Sequence, residues 1–187
     1  MKKLVLAAAA LFVFNTSQAQ VEKNITGMQL GLLGLDVYNE ARLSDQVALR
    51  SQLALNAGIW GGSVYDKTGF ILLPELSLEP KYYYNIVKRG KKGKNTKNNG
   101  ANYLSMQVNY SPNWFAISNY DDLNIKNVIS FIPTFGIRRN FAQDFNYEFK
   151  FGVGYGFVLG EDGNNGVIPD LSFKVGYDFK KINLAIN

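Results

Sequence analysis

The sequence predicts an all-β fold, an antiparallel up-and-down barrel of eight strands, and three observations carry that prediction. Large apolar residues recur at every second position, most clearly at Tyr147, Phe149, Phe151, Val153, Tyr155, Phe157 and Leu159. The positions between them are small or polar, here Glu148, Lys150, Gly152, Gly154 and Gly156. Aromatic residues gather toward the ends of such runs, at Trp60, Tyr82, Tyr84, Tyr110, Trp114, Tyr147 and Phe179. A period of two sends alternate side chains to opposite faces of a strand, so each run has one apolar face and one polar face.

The chain has 187 residues, with no cysteine and no histidine. Lacking histidine, it has none of the Ser-His-Asp, Cys-His or His-zinc arrangements. The formal charge of +5 is modest and much of it lies in one run, which argues for a local basic patch and against a nucleic-acid surface. Residues 1–19 have the three parts of a secretory signal peptide. Lys2 and Lys3 open it, residues 4–14 are apolar, and Ser17-Gln18-Ala19 is a small-x-small cleavage site. Residues 20–187 are then expected to form a single barrel domain.

Residues 28–43 place Leu33, Leu35 and Val37 opposite Asp36, Tyr38, Glu40 and Arg42, whereas Met28, Leu30 and Leu32 have the other parity. A bulge at residues 32–34 is expected to join the halves. A short turn at 44–46 leads into a strand over 47–59, with Leu49, Leu53, Leu55 and Ile59 against Arg50, Gln52 and Asn56. In residues 70–86, Leu72, Leu76, Leu78, Tyr82 and Tyr84 alternate with Glu75, Ser77, Glu79 and Lys81. Pro74 and Pro80 each remove a ladder donor, so bulges or a partly unpaired edge are expected there.

Residues 88–100, KRGKKGKNTKNNG, read as a solvated loop. Alternation resumes over 103–118, where Ser111-Pro112-Asn113 is placed to bend or divide the strand, and again over 129–138, 146–160 and 171–179. Seven strands are clear, and single-chain bacterial barrels have an even number. The eighth has three possible sources: residues 21–28, the divided 103–118 segment, or the tail after Lys181.

A soluble sandwich or lipocalin would turn the apolar faces inward, and the composition of the polar faces opposes that. Gly152, Gly154, Gly156 and Gly176 would weaken water-facing strands, whereas they make room in a narrow lumen. Charges of both signs, such as Arg50, Glu79, Lys81, Arg138, Glu148, Lys150, Lys174 and Asp178, can pair inside. The aromatics match the girdles of membrane barrels, and a strand of about 11 residues tilted near 40° rises roughly 28 Å, enough for the apolar band. The expectation is a transmembrane barrel exported to a Gram-negative cell outer membrane.

Three segments carry a family resemblance: GLDVYNEARLSDQVALRSQLAL at 34–55, LEPKYYYN at 78–85 and GIRRNFAQDFNYEFKFGVGYG at 136–156. They resemble the small outer-membrane β-barrel proteins of Gram-negative bacteria, including the PorT-like group. The resemblance implies a barrel and no particular activity. Such barrels usually finish on an aromatic residue, as Phe179 would, whereas this chain continues to Asn187.

Glu75 and Glu79 share a polar face, and charge pairing in the lumen is expected of them in preference to catalysis. The acidic segments 161–166 and Asp121-Asp122 read as solvated turns, since neither has EF-hand spacing. Lys88, Arg89, Lys91, Lys92, Lys94 and Lys97 are the candidate contacts to lipid head groups or lipopolysaccharide. The function expected is that of a membrane-embedded structural or interaction protein, without catalysis or cofactor. Its partners would be outer-membrane lipids and the outer-membrane assembly machinery, with no nucleic acid. The alternatives are a soluble periplasmic lipocalin-like binder of an apolar ligand and a lipid-modifying outer-membrane enzyme.

Overall fold

The computed structural model describes residues 20–62, 67–120, 123–160 and 165–179. The expected signal peptide at 1–19, Asp121-Asp122, residues 161–164 of the acidic loop and the tail after Phe179 lie outside the described residues. The strands are β1 (Asn24–Gly31), β2 (Gly34–Arg42), β3 (Val47–Trp60), β4 (Gly69–Tyr82), β5 (Asn102–Ser111), β6 (Ile117–Ser118), β7 (Val128–Phe141), β8 (Phe145–Val158) and β9 (Gly166–Asp178). A short helix, α1 (Ile86–Lys91), and a 3-10 turn (Lys97–Asn99) lie between β4 and β5.

Successive strands pair antiparallel, and β9 returns to pair with β1, closing the sheet. β5 and β6 both lie along β4, so together they form one interrupted stave and the barrel has eight. Following paired residues around the wall from Asp178 leads through Gly27, Tyr38, Gln52, Ser77, Asn109, Ser130 and Gly156 to Gly166. The circuit thus comes back to β9 displaced from 178 to 166. That stagger corresponds to a strand tilt of about 45° at ordinary strand spacings.

The parity change near Leu32 is a hairpin and not a bulge. β1 and β2 pair from Asn24↔Ala41 to Gly31↔Gly34, with Leu32 and Leu33 alone in the turn. Gly34 has φ 141°, and a Cβ there would collide with the Leu55 carbonyl. Of the three possible sources of the eighth strand, residues 21–28 supply it, as part of β1. Ser111-Pro112-Asn113 does divide its segment, but the pieces share a partner.

The prolines leave β4 partly unpaired along one side, without a bulge. β4 keeps unbroken register with β3 through both Pro74 and Pro80. Against β5, pairing skips from Leu78↔Val108 to Lys81↔Ser105 with no slip, because Pro80 has no N–H to give. Pro74 falls where β5 has ended and β6 has not begun.

The apolar rows face outward and the polar rows face inward on every stave. Leu171 is 71% exposed and Leu30 64%, while Arg50, Glu148 and Arg138 are buried. Gly152, Gly156 and Gly176 are buried on the inner face, where a Cβ at each would meet neighbouring atoms. The turns at 43–46 and 142–144, the α1 connection and both described chain ends lie at one end, called here the near end. The Leu32–Leu33 turn and the connections after Trp60, Ser111 and Val158 lie at the far end.

Candidate functional site

Inward parity places Tyr38 and Glu40 of β2, Arg50 of β3, Glu79 and Lys81 of β4, Arg138 of β7, Glu148 and Lys150 of β8, and Asp178 of β9 in one lumen. Glu148 is its hub. Its Oε2 accepts from Arg50 at 2.9 Å and Arg138 at 3.3 Å, and its Oε1 accepts from Lys81 at 2.6 Å and from the Tyr103 phenol. Glu40 accepts from Arg50 Nε at 3.1 Å, Tyr83 Oη at 2.6 Å and Asn99 Nδ2 at 2.5 Å. Asp178 accepts from Arg138 at 2.7 Å and from the Tyr38 phenol. Arg50 also lies over the Tyr38 ring, and Lys81 over the Tyr103 ring, each 4.2 Å from the centroid. Charges withdrawn from water persist only when paired in this way.

A cap closes the near mouth over this network. Val21, Ala48, Tyr83, Ile86, Ala101 and Tyr103 pack together without solvent exposure, and Val87 lies against them. Ile86 and Val87 thus anchor α1, while Lys88, Arg89 and Lys91 in its last turn suit the negative end of its dipole. Asn99 reaches in from the 3-10 turn, and its Oδ1 accepts from the Glu22 N–H at 2.7 Å. Burial, and after it the Glu40 carboxylate, raise the Tyr83 phenol well above its ordinary pKa, so it remains a donor.

The basic segment at 88–100 is therefore partly helical and folded onto the mouth, which corrects its reading as a plain solvated loop. Its polar periodicity concealed an anchor that lies just before it, at Ile86–Val87. The structure separates the candidate contact residues into two groups. Lys88, Lys91, Lys92 and Lys94 are exposed, and Lys88 and Lys91 share one face of α1 by their spacing, with Lys92 at its C-cap. Arg89 and Lys97 serve the cap instead: Arg89 donates to the Gly100 and Asn95 carbonyls at 2.9 and 3.1 Å, and Lys97 pairs with Asp144 at 3.1 Å.

The far half of the lumen is open where the near half is filled. A cavity of about 520 Å³ is lined by Glu75, Gln107, Asn109, Lys150, Asp170 and Lys174, among others. Its floor is Lys150, which donates to Gln107 Oε1 at 2.9 Å and lies 3.9 Å from Glu79. Glu79 is buried between Lys81, Lys150 and the Ser105 hydroxyl, whereas Glu75 contacts Ser77 and Ser111. The two carboxylates thus have separate partners. The parity of Asp36, Tyr38 and Glu40 gave the inward face of β2. Tyr103 shares the inward parity of Gln107 on β5, whereas the Tyr83 phenol, the Asn98 amide that donates to Asp178 at 2.9 Å and the reach of Asn99 depend on the cap and had no local signal.

The chain matches no protein-family model, no curated protein and no solved structure. What defines it is its own architecture: a closed eight-stranded barrel, apolar without, charged within, stoppered at the end that carries both described chain ends.

Proposed function

We propose that this chain is a small Gram-negative outer-membrane β-barrel, akin to the PorT-like group, acting as a membrane-embedded structural or interaction protein without catalysis. The observation that carries the proposal is the inversion of the fold. Apolar side chains cover the outside of all eight staves while acids and bases pair inside. Water would not stabilise such a wall, and contiguous exposed apolar surface of this extent marks a contact with lipid or protein. A strand of 14 residues, such as β3, β4, β7 or β8, tilted about 45° rises roughly 32 Å, which exceeds the apolar band of about 25 Å.

The aromatics support the same reading. Phe141, Phe145, Tyr147, Tyr177 and Phe179 form a chain of ring contacts at the near end, with centroids 5.2–6.3 Å apart. Toward the far end Tyr155 and Phe157 meet on the outer wall with centroids 5.1 Å apart, and Trp114 and Phe115 are exposed. Aromatic side chains near both rims suit a bilayer's two interfaces, and on β8 Phe149 and Phe151 continue the outer row between them. The lipocalin-like alternative needs an apolar interior, and the lumen here is charged. The partners are outer-membrane lipids and the machinery that assembles such barrels. In this reading Lys88, Lys91, Lys92 and Lys94, exposed at the near end, contact anionic head groups.

Cell fractionation tests the proposal: the protein should sediment with outer membranes, resist salt and carbonate extraction, and migrate faster on gels before boiling than after it. Recovery from the soluble periplasm without detergent would refute it.

A further inference from the structure

The far rim of the barrel is uneven. β1 and β2 turn back at Leu32–Leu33, whereas their neighbours β9 and β3 continue. β1 pairs with β9 only over Lys174 to Asp178, so residues 166–173 have no ladder partner on that side among the described residues. The ladder between β2 and β3 ends at Asn56, followed by one bond from the Ala57 N–H to the Leu33 carbonyl at 3.0 Å. The wall therefore has a notch. Its sill is Leu32 and Leu33, which are 91% and 58% exposed.

The far cavity reaches this notch. Its lining combines inward-facing Lys150, Asp170 and Ser172 with Leu33, Leu171 and Phe173 of the outer wall. A cavity bounded by both faces of one sheet opens sideways as well as upward. Two buried oxygens on its lining, Asn109 Oδ1 and Ser172 Oγ, have no hydrogen-bond partner, and Asn109 is only 6% exposed. A buried polar atom left unmatched is costly, so the cavity is furnished for a polar guest.

We propose that the vestibule and notch bind one phospholipid with a zwitterionic head group of the phosphatidylethanolamine type. The head group enters the vestibule and the acyl chains leave over Leu32 and Leu33 along the outer wall. Both signs of charge are at hand. Lys150 and Lys174 suit the phosphate, Lys174 while paired with Asp36 at 2.6 Å, and Glu75 and Asp170 suit the ammonium, Asp170 while accepting from Gln107 at 2.6 Å. A volume of about 520 Å³ is in the usual range for a small-ligand pocket. The inference rests on the wall being lipid-facing, because that is what brings acyl chains to the sill.

The test uses the full mature chain refolded in phosphatidylcholine vesicles that contain a trace of phosphatidylethanolamine with a photoreactive acyl chain. Labelling should concentrate on Leu33, Leu171 and Phe173, over residues on the opposite side such as Leu78 and Leu104. The paired change Asn109→Leu with Ser172→Leu should lower that labelling about tenfold, the effect of losing one to two hydrogen bonds to a charged group. Its heat-dependent gel mobility should be unchanged. A second variant, Leu33→Asp at the sill, should lower labelling without touching the vestibule. Even labelling around the wall, or equal notch labelling by photoreactive diacylglycerol, which has no head group, would overturn the inference while leaving the membrane reading intact. So would a dimer paired along β9 that shields the notch. Failure to insert into vesicles at all would remove both.

Discussion

Glu148 takes charge from three directions, and the barrel interior depends on that one carboxylate. Arg50, Lys81 and Arg138 all lie within 3.3 Å of it, with no solvent to replace it. Glu148→Gln would leave three buried cations short of an anion and should cost about 3–5 kcal/mol, read by urea unfolding from vesicles. Adding Arg50→Gln should recover part of that loss, since the two residues act as one unit. Gly136 is a second single-residue control. A Cβ there would collide with the phenolic end of Tyr103, so Gly136→Ala should cost about 1–3 kcal/mol by overpacking, on the same unfolding measurement. Much at this scale was legible: the parity of Arg50, Glu79, Lys81, Arg138 and Glu148 marks them as one inward set. Which acid meets which base was not legible, because pairing across the lumen depends on stagger, and no strand carries that information alone.

At the level of the strand, β8 joins the two faces most plainly. Val153 lies in mid-strand on the outer row, between Phe151 and Tyr155. Val153→Arg should cost about 2–4 kcal/mol at mid-bilayer depth, whereas Ser44→Arg in the β2–β3 turn should cost nearly nothing. Equal costs for the two in the vesicle unfolding measurement would contradict a lipid-facing β8. Strand positions were readable from alternation because a half-buried strand has a period that few other structures imitate. The first hairpin was harder. Its two central residues are leucines in place of the usual Gly, Asn or Asp, and the flanking Gly31 and Gly34 suit a bulge as well as a turn, so the parity change alone does not tell the two apart. Helix α1 escaped notice for a different reason: six residues are too few for a helical period, and its stability comes from packing Ile86 beneath the cap.

Taken whole, the molecule is sealed at one end and open at the other. The near-end cap and the Glu148 network leave no evident path for ions, so the refolded protein should give no steady conductance in planar bilayers. A stable open channel from the wild-type chain would show that the cap does not close the lumen. The seam between β1 and β9 also governs how the molecule comes into being. Every other ladder joins staves that are neighbours along the chain, whereas Gly27 and Asp178, about 150 residues apart, meet only once both have been made, at the entropic cost of the longest loop. That seam carries the largest loop-closure cost of any ladder, and a sheet in which it is still open has two unpaired margins, the state in which a chain of this kind is most exposed to pairing with the wrong neighbour.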